Sequence, residues 1–333
     1  MRKILLTLVT LVGICLHVRA QGMTATLQSG ENLSVFYGVD AFKEAYTAAV
    51  DGDQITLSAG TFNAPESNIT KSVKITGTGA YEESANTIFE TLTASGTDIR
   101  IEGVKFSKTL HVSGSSNLIV VRCWVETLNA SSKFTNALFS QSVFKDVAAL
   151  ENAQSFTFMN CTISKFSKAN SSTNLGLISN CVIYYYGWWG ASANEKNAQP
   201  FAIYKNNVLG SYFYSRWLDN HNNIPCYSPS EYYNNVGFNI NPGVEEAFYF
   251  DPTGCVNSNN QVMTYENLFN TKEVYPANPQ NVPNGDDGTS VGPYGGSGFS
   301  QYPAIPRILS KSIDSKTNDE GKINVKIEVK AEN

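Results

Sequence analysis

Six cysteines, three histidines and 29 carboxylates are the groups in this 333-residue chain that could act as nucleophile, base or metal ligand. No Cys-x-x-Cys pair or Cys/His cluster has the spacing of a zinc site. His111 and His221 stand in no nucleophile–base arrangement, and there is no Gly-x-Ser-x-Gly turn, so a serine or cysteine hydrolase is not expected. The aromatic residues are more suggestive. YYYGWWG, Tyr184 to Gly190, and SYFYSRWLDNHNN, Ser211 to Asn223, hold three of the four tryptophans. Tyr184, Tyr185, Trp188, Trp189, Tyr214, Arg216 and Trp217 are the ligand-binding candidates: flat rings beside amides and a guanidinium suit stacking against sugar rings. The same residues also suit packing beneath long loops, with each polar tip satisfied. Both readings stay open at this point.

The elements that must position these residues follow from an internal period. DIRIEGVKF from Asp98, NLIVVRCWV from Asn117, NALFSQSVF from Asn136, SFTFMNCTI from Ser155 and LGLISNCVI from Leu175 align on Val104, Cys123, Ser142, Cys161 and Cys181, at spacings of 19, 19, 19 and 20 residues. Five residues before each centre stand Ile99, Leu118, Ala137, Phe156 and Gly176; three before, Ile101, Val120, Phe139, Phe158 and Ile178; two after, Phe106, Val125, Phe144, Ile163 and Ile183. Alternate apolar residues are the period-2 signature of a strand with one buried face. A second short strand follows, marked by Leu128, Val147, Phe166 and Tyr186. Asp98, Asn117, Asn136 and Ser155 lead the repeats and suit turns with left-handed dihedrals.

A repeat this short cannot bury its own apolar face and must stack on its neighbours. The expected fold is all-β: a single-stranded right-handed parallel β-helix of about ten or eleven coils, each about 4.8 Å above the last. YKNNV, Tyr204 to Val208, and YYNNV, Tyr232 to Val236, extend it toward Val262. Cys123, Cys161 and Cys181 take the inward position as small apolar residues. Cys161 and Cys181, on adjacent coils, come near disulfide range, whereas Cys123 and Cys161 are two coils apart.

Both ends fit this reading. Residues 1–20 form a signal peptide: Arg2 and Lys3, an apolar run from Ile4 to Val18, and cleavage between Ala20 and Gln21. A lipoprotein reading at Cys15 is disfavoured by the bulky Ile14. The chain would be exported to the periplasm, the cell surface or the medium, and export would permit a Cys226–Cys255 disulfide. Residues 21–50 comprise an N-terminal segment and a short amphipathic helix, DAFKEAYTAAV, capped by Asp40 and covering the open end of the first coil. Residues 51–296 form the β-helix; residues 297–333 form a Pro-rich linker and a C-terminal amphipathic strand, KINVKIEVKA, able to pair on an edge. No later stretch has the ~20 apolar residues of a membrane-spanning helix.

Gly52, Asp53, Ile55, Leu57, Gly60, Thr61 and Phe62 resemble the first coil of the pectin lyase-like β-helix superfamily. DGTSVGPYGG, Asp287 to Gly296, is similar to the segment closing the helix in secreted β-helix proteins of the Bacteroidetes. The resemblance covers roughly residues 38–330 and marks fold rather than an active site. It implies that a polysaccharide lyase or glycoside hydrolase is the competing class, since members act on acidic polysaccharides with Ca²⁺-binding carboxylates and an Arg or Lys base. Here Glu102, Glu126 and Asp146, with Lys105, Arg122, Lys145, Lys165 and Lys168, point outward without stacking into a carboxylate cluster. The superfamily's glycosidase motifs are missing, and Asp286 and Asp287 belong to the closing segment. No catalytic residue and no metal ligand is therefore assigned, and Ca²⁺ enters only with the lyase alternative, whose candidate bases are Arg122 and Arg216.

The formal charge is -5, and loss of Arg2, Lys3 and Arg19 with the signal takes it to -8. Such a balance argues against nucleic acid as a partner. The expected function is an exported, non-catalytic surface or extracellular module that binds a glycan or a protein.

Overall fold

The computed structural model describes residues 22–82, 85–130, 132–150, 152–167, 176–188, 199–212, 223–226, 228–240, 249–251, 255–270, 274–304, 306–313, 321–323 and 325–330. Among them the repeat resolves into two large sheets. The first runs from Asn32–Tyr37 through Thr24–Ser29, Gln54–Leu57, Lys74–Thr76, Arg100–Glu102, Ile119–Val121, Ala137–Ser140, Phe156–Met159, Gly176–Ser179, Ala202–Lys205 and Glu231–Tyr233 to Val256–Ser258. The second runs from Gly60–Thr61 through Thr87–Ala94, Val104–Val112, Trp124–Asn129, Val143–Ala149, Thr162–Phe166, Val182–Trp188, Val208–Tyr212 and Val236–Asn239 to Gln261–Val262. Apart from the hairpin Thr24–Tyr37, which joins the first sheet antiparallel, neighbouring strands in both are parallel. The protein is thus mostly strand, and the chain passes alternately from one parallel sheet to the other.

The period-2 alternation read from the sequence decides which side chains meet. Phe139 pairs in register with Val120 and with Phe158, and Phe158 with Ile178. All are fully buried, and the Phe139 and Phe158 rings stack 4.7 Å apart. Tyr204 and Tyr232 continue the column at 5.0 Å, 3° from parallel. Each such side chain taken out of water contributes about 1.5–3 kcal/mol. Gly176 keeps its place in the adjoining column because a Cβ there would collide with the Phe156 ring.

The crossing from first to second sheet uses a left-handed residue in every repeat: Arg122, Gln141, Asn160, Asn180, Asn206, Asn234 and Asn259 have φ between 48° and 55°. Asp98, Asn117 and Asn136 form a second such column at the leading position, tied by Asn117 Nδ2 to Asp98 Oδ1 (2.8 Å) and Asn136 Nδ2 to Asn117 Oδ1 (3.3 Å). Ser155 is not left-handed.

Just inside the crossing runs a ladder of polar side chains. The Cys123 N–H donates to Ser142 Oγ (3.0 Å), that of Cys161 to Cys181 Sγ (3.4 Å), that of Cys181 to Asn207 Oδ1 (2.8 Å), that of Asn207 to Asn235 Oδ1 (3.0 Å) and that of Asn235 to Asn260 Oδ1 (2.9 Å). Each satisfies a backbone donor that the crossing removes from the sheet ladder. Burial pushes the Cys123 thiol up to about 12. Cys161 and Cys181 are thiols in this arrangement.

At the N-terminal end, the helix Ala41–Ala48 buries Ala41, Phe42, Ala45 and Tyr46, with Phe42 on Phe89 at 4.8 Å. Asp40 does not cap it as expected: its carboxylate accepts instead from Asn63 Nδ2 (2.9 Å).

Beyond Val262 the chain turns back. Tyr265, Leu268, Phe269, Ala277 and Val291 pack on Val182, Tyr184, Val208, Val236 and Phe238, a second apolar layer outside the second sheet. Residues 285–304 then run along the left-handed column as a strap. Asn206 Nδ2 donates to Asp286 Oδ1 (3.0 Å), Asn160 Nδ2 to the Pro293 and Gly295 carbonyls (2.8 and 2.6 Å) and Gln141 Nε2 to the Gly298 carbonyl (2.7 Å). Contact with the body continues past Gly296 to Pro303 and Ala304, at Gly103 and Glu102. The C-terminal amphipathic strand, Val325–Lys330, pairs antiparallel with Arg307–Ile313 in a separate two-stranded sheet rather than on an edge of the large ones. The signal-peptide assignment, residues 1–20, lies outside the described residues.

Candidate functional site

Sheet register brings the two aromatic segments together. Val182–Trp188 and Val208–Tyr212 are neighbouring strands of the second sheet, with Gly187 opposite Ser211 and Trp188 opposite Tyr212. A register shift between Ile183 and Gly187 accompanies the aromatic run. Ile183 faces the interior between the sheets, and the next two residues both lie outside it.

Tyr184 and Tyr185 then part company. Tyr184 is completely buried in the second apolar layer, edge-on to Tyr275 at 5.3 Å, and its hydroxyl donates to the Val274 carbonyl (3.0 Å). The ring of this candidate is thus covered by the returning chain. Tyr185 is half-buried and opposite Lys165, in a row that continues through Asp146 to Thr127 and Thr109. Lys165 lies 3.6 Å from Asp146. Trp188 and Tyr212 are placed by their backbones only; Trp189, Tyr214, Arg216 and Trp217 lie outside the described residues.

A second group on the same outer face escaped the sequence reading. Trp124 follows an inward centre, Cys123, and so points out. Its indole N–H donates to Glu126 Oε1 (2.8 Å), its ring lies 6.1 Å from Tyr81 and 6.2 Å from Tyr275, and the Lys105 ammonium sits 5.6 Å from its centroid. Lys145 stands 3.4 Å from the centroid of Tyr275. The signal available was parity alone: the residue after each centre is outward.

The outward acids and bases are not equally accessible. Glu102, read as an outward acid, is only 3% exposed. It accepts from Arg122 Nη1 (2.7 Å), Arg100 Nη2 (2.9 Å) and the Ala304 N–H (3.1 Å). Burial opposes its charge, yet the Ala304 N–H and the two guanidinium groups outweigh burial and hold its pKa below the ordinary carboxylate value. Arg122 is thereby engaged in a buried ion pair. Asp286 is held low chiefly by Lys205, at 2.7 Å, and by Asn206. Among the described residues no three of His, Cys, Asp and Glu come together as metal ligands. Cys226 and Cys255 are both half-buried against the main core.

No family model, no curated protein and no solved structure matches the chain. Fold and site define it, at this level, as an all-β repeat protein of two parallel sheets with an aromatic outer face.

Proposed function

We propose that the chain closes as a right-handed, single-stranded parallel β-helix akin to the pectin lyase-like superfamily, and that it is an exported, non-catalytic module binding a glycan. The alternation of strands between two parallel sheets at a period near 19 residues supports the first part. Parallel crossovers within a sheet are right-handed in almost all proteins. The observation carrying the binding reading is the register that sets the backbone of Trp188 opposite that of Tyr212, on neighbouring strands of the sheet whose outer face bears Tyr185, Lys165 and Asp146. Rings next to ionised and amide groups can stack on the apolar face of a sugar while bonding its hydroxyls.

The test is a glycan array on the purified protein, with and without Ca²⁺, followed by product analysis of any polysaccharide bound. Binding without cleavage, weakened about tenfold or more by Trp188→Ala, Trp189→Ala or Trp217→Ala, is the expected outcome. Cleavage with release of unsaturated uronides would replace this reading by the lyase alternative. Unchanged affinity in all three variants removes the aromatic site.

A further inference from the structure

Two apolar surfaces at opposite ends of the chain remain uncovered, and they match. At the N-terminal edge of the first sheet, Asn32–Tyr37 is bonded on one side only among the described residues. Its Leu33, Val35 and Tyr37, on one face of the strand, are 66%, 43% and 70% exposed. An edge of this kind invites an added strand. The hairpin Arg307–Ile313/Val325–Lys330 has the complementary defect. Among the described residues its strands pair only with each other, and Ile323, Val325 and Ile327, again at alternate positions, are each just over half exposed. A lone two-stranded ribbon is marginally stable in water and gains most from a third strand.

Charge is complementary as well. Residues 22–52 expose four acids, Glu31, Asp40, Glu44 and Asp51, against Lys43, which pairs with Glu66 at 2.7 Å. The hairpin strands hold Arg307, Lys311, Lys326 and Lys330 against Glu328. We propose that the C-terminal hairpin of one copy adds to the edge strand Asn32–Tyr37 of a second copy of this chain, linking copies head to tail.

Reach excludes the same pairing within one copy. Ala304 is held at Glu102, and from Arg100–Glu102 to Asn32–Tyr37 the sheet has four strand spacings. A strand added beyond the edge stands about 24 Å away. Three residues from Ala304 to Arg307 span at most ~11 Å, and the partner strand of the hairpin adds about 5 Å. The interface is therefore heterologous, and copies grow into a ring or filament.

Sedimentation of the purified chain over a concentration series tests this, with Leu33→Glu/Val35→Glu as an edge variant and Val325→Glu/Ile327→Glu as a hairpin variant. All four positions are exposed, and unchanged circular dichroism checks the fold of each variant. The expected result is concentration-dependent growth beyond a dimer for the parent chain and monomers for each variant alone. A one-to-one mixture of the two variants should form a dimer and nothing larger, because only one complementary pair of ends survives. A parent chain that stays monomeric, a variant that associates like the parent, or a mixture that stays monomeric overturns the proposal.

Discussion

Glu102 concentrates several forces in one side chain. Its sequence position on a strand correctly puts it outside the interior, yet the chain that covers it arrives from Ala304, 202 residues later. The folded pKa lies below the ordinary 4.5, so the ionised group stabilises the fold. By linkage that contribution is complete above the unfolded value and is lost as the pH falls through the lower folded one. Amide exchange of residues 298–304 should accordingly accelerate as the pH drops below about 4.5, once corrected for intrinsic rates. Glu102→Gln, which leaves Arg100 and Arg122 facing a neutral group, should cost about 2 kcal/mol in that segment and abolish the pH step. A step that persists in the variant would place the titrating group elsewhere.

Among the elements, the polar ladder inside the crossing bears weight that the apolar columns cannot. Asn235 is fully buried; its Oδ1 accepts from both the N–H and the Nδ2 of Asn207 at 3.0 Å, and its own Nδ2 donates to the Tyr204 carbonyl at 2.9 Å. Asn235→Ala orphans these partners in a dry interior and should lower stability by about 3 kcal/mol. Cys181→Ser, which supplies the oxygen acceptor that Ser142 already supplies two column positions away, should cost about 1 kcal/mol or less. Urea titrations of both variants give the comparison. The inward positions of this element were legible because a strand's side-chain period is 2 and burial tolerates little else. The left-handed column shows in the sequence only through the asparagine turns of YKNNV and YYNNV, at Asn206 and Asn234, since Arg122 and Gln141 give no local signal for positive φ. Their conformation is imposed by the crossing between sheets.

At the scale of the whole molecule, the strap turns a stack of neighbour-to-neighbour contacts into a longer-range unit. Asn160 holds Pro293 and Gly295 and, through Oδ1, accepts from the Ser297 hydroxyl at 2.8 Å. Repeat arrays otherwise unfold as chains of locally coupled units. Asn160→Gly keeps the left-handed backbone but removes all three bonds. Ellipticity and aromatic fluorescence should trace one coincident urea transition in the parent and a weaker, separated pair in this variant. Coincident curves in both would show that the strap is not what couples the repeats.

Composition and period alone established the all-β class, the apolar columns and the stacking of one repeat on the next, because alternation at 19-residue spacing has few other solutions. They also located two aromatic interruptions. Tertiary structure decided where those segments lie: it set the backbones of Trp188 and Tyr212 opposite one another through sheet register and hid the Tyr184 ring beneath Val274 and Tyr275. It decided too that the glycine-rich closing segment is a strap and that Glu102 lies under it. The physical reason is range. Strand parity is local and survives in the order of residues, whereas cover depends on which distant segment returns, and nothing in the neighbouring sequence encodes that.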